Sequence, residues 1–220
     1  MKPSINPTLL TDNGKAELKL TNVGKRFNRD WIFRNFNYSF NTPKKYAITG
    51  PNGSGKSTLL QVIAGATMHN KGQIAYTFNQ KKIESEQHFK FISIAAPYLE
   101  LIEEMTAKEM LHFHTSFKSM LQSVSFEEML ETVGLQTAAN KQLRYFSSGM
   151  KQRLKLALAF FSSAPILLLD EPTTNLDAEG IELYHSLINN YTTGKLVIVS
   201  SNVKQEYDFC DAVIDILAYK

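Results

Sequence analysis

Gly50-Pro51-Asn52-Gly53-Ser54-Gly55-Lys56-Ser57 is a glycine-spaced stretch matching the phosphate-loop pattern G-x-x-x-x-G-K-[ST]. The apolar run 45–49 precedes it, and 57–64 reads as a helix stopped by Gly65. Strand, turn and helix therefore stand in the order that the pattern needs. The glycines let the backbone curl so that successive N–H groups point at phosphate oxygens, and the helix start adds the positive end of its dipole. Asn52, Gly53, Ser54, Gly55, Lys56, Ser57 and Thr58 are then the phosphate-binding set. Lys56 would reach the β- and γ-phosphates of a nucleotide, and Ser57 would ligate Mg2+.

Outward from this loop, 16–20 and 36–40 alternate apolar with polar residues, the period of half-buried strands, and suggest an antiparallel element at the start. Further strands are expected at 73–78, 90–95, 166–170, 196–200 and 213–217, mostly apolar throughout, as suits a parallel sheet covered on both faces. Thr106-Ala107-Lys108-Glu109 and Ser125-Phe126-Glu127-Glu128 each fit a capping box and start two helices with no strand between them. This places a helical insertion at about 98–145, with Gly134 closing its second helix, inside an otherwise α/β chain.

The run Ile166-Leu167-Leu168-Leu169-Asp170-Glu171 is a buried strand ending in two acids. Beside a phosphate loop, Asp170 can hold the water shell of Mg2+, and Glu171 can act as general base on an attacking water.

The 220-residue chain carries 43% apolar residues, enough for a core, so disorder is excluded for most of it. A net charge of +3 with both signs scattered gives no dedicated nucleic-acid surface. The longest uncharged apolar stretch, 156–169, is broken by Ser162, Ser163 and Pro165 and is too short to span a bilayer. Residues 1–7 lack the apolar segment of a signal peptide, and a single cysteine, Cys210, makes no internal disulfide, so a cytoplasmic protein is expected. His112 and His114, two apart, point to different faces of a helix and make no metal pair.

Phe146-Ser147-Ser148-Gly149-Met150-Lys151-Gln152-Arg153 precedes an apolar helix at 154–161 and stands just upstream of the acidic strand, with Thr174-Asn175-Leu176-Asp177 after it. Taken in order, these motifs resemble the ATPase subunit of an ATP-binding cassette (ABC) transporter, from about Leu18 to Leu217. The resemblance implies a P-loop NTPase core with a mostly parallel sheet, an N-terminal antiparallel β element and a helical insertion. The whole chain, 1–220, would be one domain: a β and phosphate-loop core at about 16–95, a helical subdomain at about 98–160 and a C-terminal core at about 164–220. ATP and Mg2+ are the implied ligands. In the head-to-tail dimer that it implies, Ser147 and Gly149 would contact a γ-phosphate held by the other subunit, and Asp177 would link the two sites. Phe27 stands where the family stacks a ring on adenine, with Trp31 as the substitute. A separate membrane-spanning partner is implied, contacting mainly the region 96–125, and would hold the chain at the inner face of the membrane; no nucleic-acid partner is expected. Homodimer and heterodimer both remain open.

Two positions depart from the family. Where it has a glutamine after the strand at 90–95, this chain reads Ala95-Ala96-Pro97-Tyr98, and neither Ala96 nor Pro97 offers a polar side-chain atom. Where it has a histidine after 196–200, this chain has Asn202, which can donate a hydrogen bond to phosphate but cannot carry a proton as imidazole does. With Lys56, Glu171 and Asn202 as the catalytic set, hydrolysis is expected to be slow rather than absent. The alternative is a module that dimerises on ATP and regulates, with weak or no turnover.

Overall fold

The computed structural model describes residues 14–220; the reading of residues 1–7 lies outside that range. Two sheets make up the frame. Strands β1 (Ala16–Phe27), β2 (Asp30–Asn41), β4 (Lys71–Phe78) and β5 (Lys81–Lys82) form an antiparallel sheet in the order β2-β1-β4-β5. Strands β3 (Lys45–Thr49), β6 (Ile92–Ala95), β7 (Ile166–Asp170), β8 (Leu196–Ser200) and β9 (Ala212–Asp215) form a parallel sheet in the order β6-β7-β8-β3-β9.

The expected antiparallel start is present with its register: Leu18 faces Phe40 and Leu20 faces Tyr38. The strand expected at 73–78 belongs to this sheet, not to the parallel one, with Tyr76 opposite Leu18 and Ile74 opposite Leu20.

Strands β7 and β8 are buried along their whole length, and their side chains serve two cores by simple alternation. Ile166, Leu168, Leu196 and Ile198 pack with helix α1 (Lys56–Ile63) and with Leu18, Leu20, Phe33, Phe36 and Phe40 of the antiparallel sheet. Leu167, Leu169, Val197 and Val199 pack on the other face with helices α5 (Ser148–Phe160) and α6 (Ala178–Tyr191). Helix α6 is not among the elements read from sequence; it buries Gly180, Tyr184, Leu187, Ile188 and Tyr191, one stripe at helical spacing. Truncating a residue such as Leu168 to alanine would cost about 2–5 kcal/mol.

Both capping boxes form. Helix α3 (Ala107–Thr115) starts at Thr106, whose N–H donates to Glu109 Oε2 at 2.8 Å while its hydroxyl accepts from Glu109 N at 3.2 Å. Helix α4 (Phe126–Thr132) repeats this with Ser125 and Glu128, and Gly134 turns the chain away at φ 71°.

Two strand boundaries are corrected. Lys90 and Phe91 are not extended: helix α2 (His88–Phe91) intervenes, and it sets His88 against Tyr76 (centroids 3.9 Å apart) and Phe91 against Phe78 (5.4 Å). Strand β9 stops at Asp215 because that carboxylate accepts from Leu217 N at 2.9 Å and caps a 3-10 turn, Ile216–Tyr219. The helix expected at 154–161 begins earlier, at Ser148, because the Ser147 hydroxyl accepts from Met150 N at 3.2 Å and starts it there. No helix among the described residues is long and apolar enough to cross a membrane.

His112 and His114 do part company on α3. His112 is exposed against the Phe126 ring at 4.6 Å, whereas His114 is partly buried and its Nε2 has no hydrogen-bond partner among the described residues. Burial, with the nearby Lys118 charge adding to it, brings the His114 imidazole down to about 4. Between pH 4 and 6.5 the unfolded chain therefore binds the extra proton, so this contribution to stability is whole above pH 6.5 and is lost as pH falls towards 4. Thermal melts at pH 7.5 and 5.0 should show a larger fall in Tm for the parent than for His114→Leu; equal falls would contradict this origin.

Candidate functional site

The carboxyl ends of β3, β7 and β8 meet at one point, because parallel register places Ile48 beside Ser200 and Ser200 beside Asp170. In an open α/β sheet this is the edge where ligands bind. The phosphate loop leaves β3 here and turns into α1 through Gly55, at φ 100°. A side chain at Gly55 would be strained by that conformation and would also meet Ile32 Cγ2 at 2.4 Å.

The loop surrounds a cavity of about 190 Å3 lined by Asn52, Gly53, Gly55, Lys56, Ser57 and Thr58, with Glu171 at its wall. Ile32 of β2 completes it, a contribution that crosses from the other sheet and that no motif signals. Lys56 is buried, and its Nζ donates to the Gly50 and Pro51 carbonyls at 2.9 and 3.2 Å, so the loop is held closed on its own lysine. Ser54, expected in the binding set, turns inward: its hydroxyl is buried and does not line the cavity, while its N–H donates to Pro51 O at 3.1 Å.

Asp170 is 1% exposed, and its Oδ1 has no hydrogen-bond partner among the described residues. Burial pushes this carboxyl up, against the lowering influence of the Ser200 and Ser57 hydroxyls and the Lys56 ammonium. An unpartnered carboxylate oxygen at the floor of a phosphate loop suits a hard divalent cation, which takes oxygen ligands. Ser57 lies within hydrogen-bond reach of this carboxylate.

Glu171, the next residue, has φ 41°, a conformation uncommon for a side-chain-bearing residue outside a turn. Its N–H donates to Ser200 O at 2.9 Å, and Thr174 N donates back to Glu171 O at 3.1 Å. These bonds turn the chain so that Glu171 reaches the cavity wall while Asp170 stays beneath. Asn202 arrives from β8, and its Nδ2 donates to Asn52 Oδ1 of the phosphate loop at 3.2 Å.

Ser147 and Gly149 stand elsewhere. They line a separate cavity of about 650 Å3, with Arg153, Asn175 and Asp177 among its other walls. Gly149 lies so close to the loop that follows β7 that a Cβ on it would meet Asn175 O at 3.0 Å. Asp177 caps α6, its Oδ1 accepting from Gly180 N at 2.8 Å, and pairs with Arg153 at 3.2 Å; the Gly180 bond, more than the arginine, holds this carboxyl below the usual range. Phe27 is half exposed at the end of β1, under the Lys25 ammonium at 4.6 Å, and does not line the phosphate cavity.

The segment after β6 is a turn in which Leu99 N donates to Ala96 O at 3.2 Å and Lys155 Nζ donates to Pro97 O at 2.8 Å. Tyr98 in this turn lies within reach of the Asp170 charge. Burial first, then that charge, pushes its phenol up to about 12, with Gln61 opposing. The sequence marks neither this tyrosine nor the buried Gln152 of α5, whose Nε2 donates to Pro172 O at 2.7 Å. Cys210 is idle by contrast: burial above all pushes its thiol up to about 12.

Comparison with known proteins agrees with this arrangement. The ABC transporter family model matches residues 33–174. The chain is 28% identical, over 90% of its length and 91% of the relative's, to the uncharacterized ABC transporter ATP-binding protein YybJ of Bacillus subtilis. It is 29% identical to the lantibiotic transport ATP-binding protein SrtF of Streptococcus pyogenes, over 87% of this chain and 82% of that one. In structure it is similar to the ATP-binding cassette MJ0796, a dimer in a post-hydrolysis state bound to ADP and Pi, with a TM-score of 0.78 at 26% identity over 90% of this chain and 94% of that one. A family match that runs from the antiparallel sheet through the phosphate loop to the turn after the acidic strand places the chain in the ABC transporter family, as an ATP-binding subunit.

Proposed function

We propose that the chain hydrolyses ATP between two cassettes and uses the closure that ATP brings to drive a separate membrane-spanning subunit from its cytoplasmic face. The observation that carries this reading is the buried, unpartnered Asp170 oxygen beneath a phosphate loop with Glu171 at its wall.

The loop N–H groups between Asn52 and Thr58, with the start of α1, would receive the phosphates. Lys56 would exchange its bonds to Gly50 and Pro51 for the β- and γ-phosphate oxygens. Ser57 and Asp170 would hold Mg2+, which supplies charge neutralisation and fixes the phosphate geometry when bound. Glu171 takes the proton of the attacking water as its oxygen bonds to the γ-phosphorus; the bond from that phosphorus to the bridging oxygen breaks, and ADP and phosphate leave. Asn202 donates a hydrogen bond to the γ-phosphate but no proton, so turnover is slow.

Within one chain the phosphate cavity and the Ser147–Gly149 cavity are separate, which supports a site completed by another cassette. Ser147 and Gly149, at the start of α5, would face the γ-phosphate held by that other subunit. Phe27, half exposed at the sheet margin, would stack on the adenine. The membrane subunit would dock at the turn after β6, where Pro97, Leu99, Leu101 and Ile102 line a groove of about 710 Å3 edged by Glu100, Glu103 and Glu104 and by Lys151 and Lys155. With Lys151 already paired to Glu103, this mixed rim suits a short helix that is mainly apolar. One observation favours the regulatory alternative: Asn202, not an imidazole, is bonded to the phosphate loop, so ATP would close the dimer with little turnover.

Phosphate release by Glu171→Gln should fall by a factor of about 100 or more, as expected on losing a general base. Light scattering on the same samples should show an ATP-trapped dimer. Unchanged release would contradict the role of Glu171; a parent that dimerises on ATP but releases no phosphate would favour the regulatory module.

Asp170→Asn separates metal binding from folding. Because burial disfavours the carboxylate, the variant should melt no lower than the parent, while the tightening of ATP binding by Mg2+ over EDTA should disappear. Calorimetric titration in both buffers checks this; a retained Mg2+ effect would remove Asp170 from the donor set.

A further inference from the structure

We propose that Glu206 is a positioning residue for Glu171, holding the turn that carries the general base and tying it to the segment that bears Asn202. This rests on the reading of Glu171 given above. Glu206 lies in the 3-10 turn Lys204–Glu206 and is 2% exposed, an unusual place for a carboxylate with no cationic partner among the described residues. One oxygen, Oε1, accepts from both groups that Thr173 offers: the backbone N–H at 2.9 Å and, in a short contact, the side-chain hydroxyl. The other oxygen, Oε2, has no partner among the described residues. Tyr184 of α6 donates to the Glu206 carbonyl at 2.8 Å and fixes the backbone of the 3-10 turn against the core.

Thr173 is two residues beyond Glu171, across Pro172. The Glu171 N–H is itself held by Ser200 O at 2.9 Å. Residues 200–206 therefore grip the turn at both ends, Ser200 at Glu171 and Glu206 at Thr173, with Asn202 between them bonded to the phosphate loop. From the opposite side Gln152 holds Pro172 O. Proline removes one backbone donor from the turn, and the strained φ of Glu171 persists only if its surroundings over-determine it. Glu206 supplies two of the bonds that do so. A shift of Asn202 towards a γ-phosphate would be carried to Glu171 by this grip.

The test compares Glu206→Ala, Glu206→Gln and Thr173→Val with the parent and with Glu171→Gln, measuring kcat and KM for Mg·ATP and hydrogen exchange of the peptide spanning 171–174. Glu206→Ala should lower kcat by about tenfold or more, with KM changed less than about threefold and exchange of that peptide faster. Glu206→Gln, which keeps an acceptor for Thr173, should restore kcat to within about threefold of the parent. If Glu206→Ala does not fold, Thr173→Val alone should lower kcat with KM unchanged, by less than Glu206→Ala would because the backbone bond remains. Parent-like exchange in Glu206→Ala, a loss confined to KM, or a glutamine variant as impaired as the alanine one would overturn the proposal. Glu171→Gln keeps the two failures apart: if it retains turnover the base assignment falls, and if it abolishes turnover while Glu206→Ala retains it, only the role of Glu206 falls.

Discussion

Strands β7 and β8 are covered on both faces, and that double burial sets the terms for everything else. Two runs of four apolar residues, 166–169 and 196–199, fill two cores at once, so neither strand can admit a polar residue until it ends. The polar residues then arrive together: Asp170 and Ser200 are register partners at the edge where β3 gives way to the phosphate loop. Concentrating a buried carboxylate there costs stability, since its Oδ1 lacks a partner and burial works against its charge. Such a cost is understandable if, as proposed, the site holds a cation against triphosphate.

The loop from Glu171 to Asp177 joins the two cavities. Near one end Pro172 is held by Gln152 and Thr173 by Glu206; at the other, Asn175 touches Gly149 and Asp177 pairs with Arg153. Helix α5 thus contributes to both, through Gln152 at Pro172 and through Gly149 and Arg153 at the other cavity. In a head-to-tail dimer the phosphate-facing start of α5 and the base of the same chain would serve different ATP molecules. The contacts that stiffen this loop would then let each site sense the other.

Much of this was legible beforehand, for identifiable reasons. Phosphate loop, acidic strand and capping boxes are local patterns in which the residues that make the contact also make the signal, and Thr106 with Glu109 or Gly55 before Lys56 behave as read. What escaped depends on distant parts of the chain. Ile32 reaches the cavity from the other sheet, Glu206 finds Thr173 across 33 residues, and Gln152 finds Pro172 across 20. Strand β4 is grouped by its apolar residues with the runs that suit a parallel sheet, but its partner is β1, more than 50 residues earlier. Helix α6 carries a stripe at helical spacing and a capping Asp177, local signals that stand directly after the stronger acidic motif.

On the proposed reading, a catalytic site is built from the phosphate loop of one cassette and the Ser147–Gly149 face of another. Mixing two inactive variants tests it directly: Lys56→Ala, which spoils the loop, and Gly149→Arg, which blocks the opposite face. If the sites form between chains, the mixture pairs one intact loop with one intact face, and ATP hydrolysis should recover to a substantial fraction of the parent rate. Hydrolysis no higher in the mixture than in either variant alone, with mixed dimers shown to form, would contradict the account.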